Sequence, residues 1–524
     1  MNEPATQATQ VSGVIEKLTF HNPDTGFAVL RVRSDQGTSM LTVVGCVPAV
    51  RAGDHVDCAG DWITDRTYGV QFRASRIDVA PPQTEDAILR YLSAGVVPGI
   101  GPKLAAQLVE RFGARVFDVL ETEPERLGEL PGIGKKKRAK IIEGWQRERA
   151  AHDVVVFLQT HGIGPARAMR VYKAYGDTAI AKIRANPYVL AKDIDGIGFR
   201  TADNIAQSVG IAPDSQLRLE AGLCEALRDQ ASSGHCLIAE TELLTAAAKL
   251  LQVDTQQLAS ALATVCRERD VIAETWDGQR YYYLSVLYRA ETEVFAHFQR
   301  LLSHPASVAI DDVDDALREA TRLTRLELSP SQERALRLVV TGKIAVVTGG
   351  PGVGKTTVLN TLLTMWRGEG ARVLLGAPTG RAAKRLSEAT GMEAKTLHRL
   401  LEYDPRALVF QRDTEEPLEA DLVVVDEASM VDIILMLALV RGLPDHARLV
   451  LVGDVDQLPS VGPGNVLADV INSGCVPTAR LTEIFRQSAS SQIIVNAHRI
   501  NHGEMPALDN PPETDFFWIP AQSP

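Results

Sequence analysis

Residues Gly349–Thr356 have the types and the spacing of a phosphate-binding loop. They read GGPGVGKT, which fits the pattern G-x-x-x-x-G-K-[ST]. An apolar run precedes them and a helical pattern follows, so N–H groups at a helix N-terminus would point at phosphates. Lys355 would reach the β/γ-phosphates, and the Thr356 hydroxyl would bind Mg²⁺. This context disfavours a simple glycine-rich turn and predicts ATP and Mg²⁺ as cofactors. The predicted nucleotide contacts are Gly350, Pro351, Gly352, Val353, Gly354, Lys355, Thr356 and Thr357.

Four continuous apolar runs in this part of the chain predict strands of a parallel sheet that is buried on both faces. They are Ile344–Thr348, Arg372–Ala377, Asp421–Asp426 and Arg448–Gly453. Helical patterns separate them, which is typical of an α/β fold. Because chemistry in such sheets takes place at the carboxyl ends of the strands, residues that directly follow these runs are candidates for catalysis.

Polar residues occur at those strand ends. Asp426 fits a residue that organises Mg²⁺, and Glu427 is placed to orient or deprotonate an attacking water, although such an acidic pair also suits a helix N-cap. Gln457 is predicted to sense hydrolysis through hydrogen bonds to the γ-phosphate and to neighbouring acids. Arg486 is predicted to offer a planar cation to the transition-state oxygens. Gln332, shortly before the first strand, is a candidate for contact with the adenine edge.

The tripeptide Gly-Ile-Gly occurs four times between residues 94 and 211. The copies begin at Gly99, Gly132, Gly162 and Gly196, spaced by 33, 30 and 34 residues, and each precedes a helical pattern. Two glycines allow a tight turn and leave N–H groups at a helix N-terminus free to bind a phosphate oxygen. The repeat resembles helix-hairpin-helix modules, which grip the DNA backbone without reading its sequence.

Basic charge is concentrated after the second copy, where residues 130–149 hold seven Lys or Arg against two glutamates. A charged run is commonly a solvated helix face. Here the lysines start immediately after the glycine turn, which favours binding to the DNA backbone. The predicted contacts are Gly132, Gly134, Lys135, Lys136 and Lys137. The fourth copy has little basic charge and is predicted to be structural.

The N-terminal part has a different pattern. Short apolar alternations in residues 11–80 predict about five strands and hence a small OB-like β-barrel. Its role is open between nucleic-acid binding and packing or partner contact. Residues 216–300 predict helices followed by a hairpin at Asp277–Gly278, an arrangement similar to a winged-helix module.

Composition limits the class of protein. A chain of 524 residues is too long to fold around a single hydrophobic core. Its composition, with 45% hydrophobic and 23% charged residues, excludes a fully disordered protein. A net charge of −11 argues against a uniformly basic nucleic-acid coat. Six scattered cysteines give no support for a zinc site or a disulfide framework and fit a reducing cytosol. With no signal sequence and no long apolar run, we expect a cytoplasmic protein without a membrane segment.

The ordered motifs of the C-terminal half resemble those of superfamily-one helicases, and in detail those of the RecD type of DNA helicase. They are GGPGVGKTT, APTGRAAKRL, TLHRLL, VVVDEASMVD, VGDVDQLPSVGPG and LTEIFRQS. With the Gly-Ile-Gly region and the barrel, nearly the whole chain is similar to the stand-alone, long-form members of that family.

The resemblance implies ATP-driven 5′→3′ movement on single-stranded DNA by two RecA-like domains. It assigns Thr379, Arg381 and His398 to DNA contact and the segment 407–419 to a hairpin that separates strands. DNA, single-stranded and at duplex junctions, is the implied partner, and single-strand-binding or repair proteins are further candidates. Two alternatives stay open: a superfamily-one RNA helicase, and a DNA-binding scaffold with an ATP switch.

The predicted domains follow the chain in five parts. They are a β-barrel at 1–82, a tandem helix-hairpin-helix region at 83–212, a winged-helix-like or linker region at 213–327, a RecA-like domain at 328–478 with a hairpin insertion at about 402–420, and the start of a second RecA-like domain at 479–524. A complete second domain would need well over about 100 residues. The sequence-based expectation is therefore a fragment that binds ATP weakly and unwinds DNA inefficiently.

Overall fold

The structure, a computed structural model, describes residues 9–22, 27–35, 39–47, 50, 52–65, 69–80, 84–93, 97–405, 407–483, 491–509 and 514–519. Two units, Met1–Ala221 and Gly222–Pro524, each form their own set of contacts. Within the described ranges, no helix has the length and apolar character needed to cross a bilayer.

The first unit begins with a closed barrel, as the alternating sequence predicted. Its strands are β1 (Thr9–His21), β2 (Phe27–Ser34), β3 (Met40–Cys46), β4 (His55–Asp65) and β5 (Gly69–Ala80), in the order β1-β2-β3-β5-β4. Alternate side chains point inward, and Ile15, Leu30, Val43 and Phe72 are fully buried. All neighbours pair antiparallel except β3 and β5, which are parallel. Closure leaves no exposed sheet edge.

Helices make up the rest of this unit. They are α1 (Glu85–Ser93), α2 (Pro102–Phe112), α3 (Val116–Thr122), α4 (Lys135–Thr160), α5 (Pro165–Tyr175), α6 (Ala179–Ala185), α7 (Val189–Asp193), α8 (Phe199–Ser208) and α9 (Gln216–Ser232), which continues into the second unit. Each Gly-Ile-Gly turn lies directly before α2, α4, α5 or α8. The first glycine of every turn has a positive φ, between 80° and 100°, and the isoleucine is buried. The turn therefore needs glycine for its backbone and isoleucine as its anchor.

The second unit opens with a winged-helix topology, which agrees with the predicted module. After α9 come β6 (Leu237–Ala239), α10 (Glu240–Leu251), α11 (Thr255–Arg267), β7 (Val271–Trp276) and β8 (Gln279–Leu284), with the sheet order β6-β8-β7. The hairpin turns at Asp277 and Gly278, which both have positive φ. Helices α12 (Ser285–Ser303) and α13 (Val313–Thr324) lead on to the larger sheet.

The larger sheet is six-stranded and parallel, in the order β11-β10-β14-β15-β9-β16. Its strands are β9 (Ile344–Thr348), β10 (Val373–Ala377), β11 (Ala394–Thr396), β14 (Leu422–Val425), β15 (Arg448–Gly453) and β16 (Thr478–Arg480). The helices are α14 (Pro330–Thr341), α15 (Lys355–Gly368), α16 (Gly380–Thr390), α17 (Leu397–Leu400), α18 (Ile433–Gly442), α19 (Val466–Ser473) and α20 (Gln492–Asn501). Every residue of β9, β14 and β15 is buried. Successive side chains enter separate cores on the two faces, which confirms the predicted doubly covered sheet.

A small two-stranded hairpin inserts between α17 and β14. It consists of β12 (Tyr403–Asp404) and β13 (Val409–Phe410), which both lie within the predicted insertion at about 402–420, whereas the segment 407–419 contains only the second strand. The backbone reverses at Leu408, which has a φ of 57°. The Tyr403 and Phe410 rings lie 4.9 Å apart and join the two strands. Cross-strand aromatic pairs of this kind stabilise a two-stranded sheet.

A buried ion pair joins α8 and α9 in the first unit. Arg218 donates from Nε and Nη2 to the Asp203 carboxylate at 2.8 and 3.1 Å, and the Tyr188 hydroxyl donates to the same group at 2.7 Å. Removing one partner would leave an uncompensated charge in a site with little access to water.

We predict that Asp203→Ala lowers the free energy of unfolding by about 3 kcal/mol. The matched control is Asp195→Ala, because Asp195 is exposed before the same helix. Urea unfolding followed by circular dichroism measures both variants. Equal midpoints for the two variants would contradict the prediction.

Candidate nucleotide and nucleic-acid sites

The predicted phosphate loop lies between β9 and α15, at the carboxyl edge of the parallel sheet. Gly352 and Gly354 have φ values of 78° and 81°, and Gly354 caps α15 without a side-chain hydrogen bond. Val353 is buried and fixes the loop to the core. The first N–H groups of α15 are therefore left for an anion, and the Thr356 side chain at its start is exposed.

The Lys355 ammonium folds back over its own loop. Its Nζ donates to the Gly349 carbonyl at 2.5 Å and to the Gly350 carbonyl at 3.2 Å. Both acceptors belong to the start of the loop, so the positive charge is held at that end of the loop.

Gln332 packs beneath the same loop and is fully buried. Its Nε2 donates to the carbonyls of Val353 and Gly354 at 3.3 and 3.4 Å, and its Oε1 accepts from the Ser329 N–H at 2.9 Å. In this arrangement the side chain supports the loop and caps α14. The predicted contact with adenine requires the amide to exchange these partners and stays a prediction.

Asp426 and Glu427 follow β14, two strands away from the loop in the sheet. Burial raises the pKa of the Asp426 carboxyl above its usual range. The Glu427 backbone N–H, which donates to this carboxyl, lowers the pKa, the Glu427 charge raises it, and the Lys355 charge lowers it. Glu427 has a φ of 53°, in the left-handed region that side chains rarely adopt. Strained backbone of this kind is concentrated at functional sites.

Gln457 follows β15 and donates from Nε2 to the Asp454 carboxylate at 2.9 Å. Asp454 is buried, so the predicted hydrogen bond to a neighbouring acid exists, whereas contact with a γ-phosphate stays a prediction. The Gly349 N–H donates to the Gly453 carbonyl at 3.4 Å, which ties the phosphate loop to the end of β15. Arg486 lies outside the described residues.

Sequence reasoning missed Glu483, which connects the start of α14 with the end of β16. Its carboxylate accepts hydrogen bonds from the Ser331 and Ser329 hydroxyls. The glutamate stands in the predicted arginine motif, but nothing in its local pattern indicates a partner some 150 residues earlier.

Three buried polar atoms around the loop have no hydrogen-bond partner among the described residues. They are Thr348 Oγ1 at the end of β9, Ser429 Oγ after the acidic pair, and His498 Nε2 on α20. Buried polar groups are nearly always satisfied in folded proteins. A ligand rich in hydrogen-bonding oxygens, such as a nucleotide with its metal, fits such a set.

The N-terminus of α4 carries the basic cluster that was predicted to bind DNA. Gly134 caps α4 without a side-chain hydrogen bond, and Lys135, Lys136 and Lys137 are exposed. Within the described part of the chain, no carboxylate lies at ion-pair distance from these three lysines, whereas Arg138 pairs with a glutamate. A Cβ added at Gly132 or at Gly134 would meet no atom within 4 Å, so the turn is open to an approaching backbone.

The second set of predicted DNA contacts lies on α16 and α17. Arg381 is exposed, whereas the Thr379 hydroxyl accepts the Ala382 N–H at 3.2 Å and caps α16. The exposed His398 ring lies 5.5 Å from Tyr403 and 5.7 Å from Phe410, at the base of the small hairpin. An open cleft of about 650 Å³ lies beside them, and its lining includes Lys384, Lys395 and Arg399.

These features define a P-loop nucleotide-binding domain joined to OB-fold and helix-hairpin-helix modules, and the family comparisons agree. Residues 327–517 match the AAA domain, and residues 8–82 match the OB-fold domain of the ATP-dependent DNA helicase YrrC. Residues 91–147 match the SAM-like helix-hairpin-helix tandem, and residues 147–237 match the helix-hairpin-helix domain of the ATP-dependent RecD2 DNA helicase.

Proteins of similar sequence identify the family of this chain. The ATP-dependent RecD2 DNA helicase of Deinococcus radiodurans is 33% identical over 516 residues, which span 95% of this chain and 70% of that protein. The RecBCD enzyme subunit RecD of Mycobacterium tuberculosis is 36% identical over 232 residues, 40% of this chain and 39% of that subunit. The chain belongs to the family of RecD2-type ATP-dependent DNA helicases. A solved structure, that of the Pif1 helicase from Candida albicans, is 24% identical to this chain. The match covers 36% of this chain and 50% of that chain, with a TM-score of 0.28.

The strained backbone at Glu427 gives a prediction for stability. Glu427→Gly and Glu427→Ala both remove the carboxylate, and we expect the glycine variant to be more stable by about 1 kcal/mol, because only glycine adopts positive φ without strain. At Glu293, in the middle of α12, we expect the opposite order, with the alanine variant more stable than the glycine variant by about 1 kcal/mol. Thermal unfolding measures both pairs, and an alanine variant that is the more stable at both positions would contradict this assignment.

Proposed function

We propose that this ATP-dependent DNA helicase binds ATP with Mg²⁺ on the phosphate loop and uses its hydrolysis to move 5′→3′ along single-stranded DNA. The observation that carries this proposal is the meeting of Lys355, Asp426 and Glu427 at one edge of a parallel sheet, within a chain that also holds an uncapped, lysine-rich helix N-terminus.

Each residue has a role that follows from its place. Lys355 holds positive charge at the β/γ end of the loop, and the N–H groups at the start of α15 donate to the phosphates. Thr356 and Asp426 would hold the Mg²⁺ that accompanies the nucleotide. The metal would neutralise charge on the transferred phosphoryl group. Glu427 would orient the attacking water, and Gln457, bonded to Asp454, would report loss of the γ-phosphate.

DNA contact is proposed at two places. In the first unit, the N-terminus of α4 would bind backbone phosphates through its free N–H groups and its three lysines. In the second unit, Arg381 and His398 would face single-stranded DNA, and the hairpin formed by β12 and β13 would act as the strand-separating pin. Leu408 and Val409, at the hairpin turn, are apolar and exposed, which suits contact with bases.

Lys355→Ala should lower the rate of ATP hydrolysis stimulated by single-stranded DNA by at least about 100-fold, because the charge on the phosphates loses its partner. DNA affinity should stay within about twofold, since α4 and α16 are unchanged. Lys249→Ala, which removes an exposed lysine of α10, serves as the charge-matched control and should behave like the unaltered chain. Phosphate release and fluorescence anisotropy give the two readouts, with single-stranded RNA as a comparison.

Persistence of DNA-stimulated hydrolysis or strand displacement in Lys355→Ala would contradict the proposal. Stronger stimulation by RNA than by DNA would instead favour an RNA helicase.

Gly134→Ala should weaken binding to DNA about tenfold, because a methyl group would stand where the phosphate approaches the helix N-terminus. Gly198→Ala is the matched control. Both glycines cap a helix, have extended backbone and have no atom within 4 Å of an added Cβ, but Gly198 lacks the lysines. Anisotropy titrations at fixed salt compare the two, and equal losses would argue against a specific site at α4.

A further inference from the structure

His498 lies against the phosphate loop, although it stands about 150 residues later in the chain. It belongs to α20, and its imidazole rests on Gly350. A Cβ added at Gly350 would lie 2.8 Å from His498 Cε1 and 3.5 Å from Nε2. No larger residue fits at position 350 while the ring keeps this place.

The ring nitrogen at this contact is left without a partner. His498 Nε2 is buried and makes no hydrogen bond within the described part of the chain. Imidazole nitrogens are strong hydrogen-bonding groups, and a buried one without a partner is unfavourable unless a ligand completes it. Packing on Gly350 alone gives no reason for a histidine here, since an apolar ring would fill the space without an unmet polar atom.

His498 and Lys355 contact the same end of the phosphate loop. The Lys355 Nζ donates to the carbonyls of Gly349 and Gly350, so ammonium and imidazole meet the loop at the same residue. An anion drawn to that ammonium would come within reach of the imidazole. A phosphate oxygen is an acceptor that pairs with both groups.

We propose that His498 is a nucleotide-binding residue, whose Nε2–H donates to the β- or γ-phosphate of the nucleotide held on the loop. This rests on the proposed binding of ATP at Gly349–Thr356. Helix α20 thereby contributes a side chain to the phosphate site.

Two substitutions separate a hydrogen bond from packing. His498→Phe keeps a planar ring on Gly350 but has no donor, whereas His498→Gln keeps an N–H donor near the position of Nε2. Titration of the 524-residue chain with a fluorescent ATP analogue and Mg²⁺ should show about ten- to hundredfold weaker binding for His498→Phe, the range expected for a hydrogen bond to a charged group. His498→Gln should bind within about threefold of the unaltered chain.

His502→Ala is the matched control, because His502 is exposed at the C-cap of α20, four residues after His498, and its ring bonds to a backbone carbonyl. Its affinity should be unchanged. If His498→Phe does not fold by circular dichroism, His498→Ala replaces it, since it only removes atoms. Binding of the donor-free variant at the level of the unaltered chain would overturn the inference, and so would an equal loss in His498→Gln and in the donor-free variant.

A double-mutant cycle tests the contact itself. Gly350→Ala should weaken nucleotide binding in the unaltered chain, because its methyl group displaces the imidazole, and should have a clearly smaller effect beside His498→Ala. Additive effects would overturn the inference. Lys355→Ala distinguishes failure of the histidine assignment from failure of the proposed ATP site. If Lys355→Ala loses affinity for the analogue while His498→Phe does not, only the histidine assignment fails. If the unaltered chain binds no ATP analogue, the proposed function fails as well.

Discussion

Burial of a parallel sheet on both faces is the constraint on which the nucleotide site depends. Every residue of β9, β14 and β15 is buried, and the polar side chains of the predicted nucleotide site follow the carboxyl ends of these strands. Because the strands are parallel, those ends share one edge. Two backbone hydrogen bonds, from Gly349 to Gly453 and from Leu481 to Thr348, lock neighbouring ends together. The sheet thus brings Lys355, Asp426 and Gln457 to the same edge.

Both units use the same physical device, a glycine turn that opens onto an uncapped helix N-terminus. Gly354 before α15 and Gly134 before α4 make no side-chain cap, and a lysine is the first helical residue in each case. The other three Gly-Ile-Gly turns keep the backbone geometry, but α2 and α5 begin with proline and α8 with phenylalanine. Free N–H groups are common to all of these helices. The lysine at the first helical position is what α4 and α15 share and the other three helices lack.

The segment after β15 connects the nucleotide site with the winged-helix module. It begins at Asp454, which holds Gln457, and ends at Gly464, whose N–H donates to the Gly234 carbonyl at 2.9 Å. Around Gly464 an added Cβ would meet Ile433 and Cys236, so the segment fits closely between α18 and the start of the winged-helix sheet. The module therefore shares a boundary with the loop that follows the nucleotide site.

The sequence by itself determined the barrel, the four glycine turns, the phosphate loop and the buried strands, because local backbone geometry and side-chain periodicity encode each of them. Only the tertiary structure decided which residues that lie far apart in the sequence contact one another. Gln332, which was expected to contact the adenine edge, hydrogen-bonds to the phosphate loop, Glu483 accepts a hydrogen bond from Ser331, and His498 lies on Gly350. The Tyr403 and Phe410 rings pack across the small hairpin. Contacts between residues far apart in the chain depend on how the elements pack, and such packing leaves no periodic signal in the sequence.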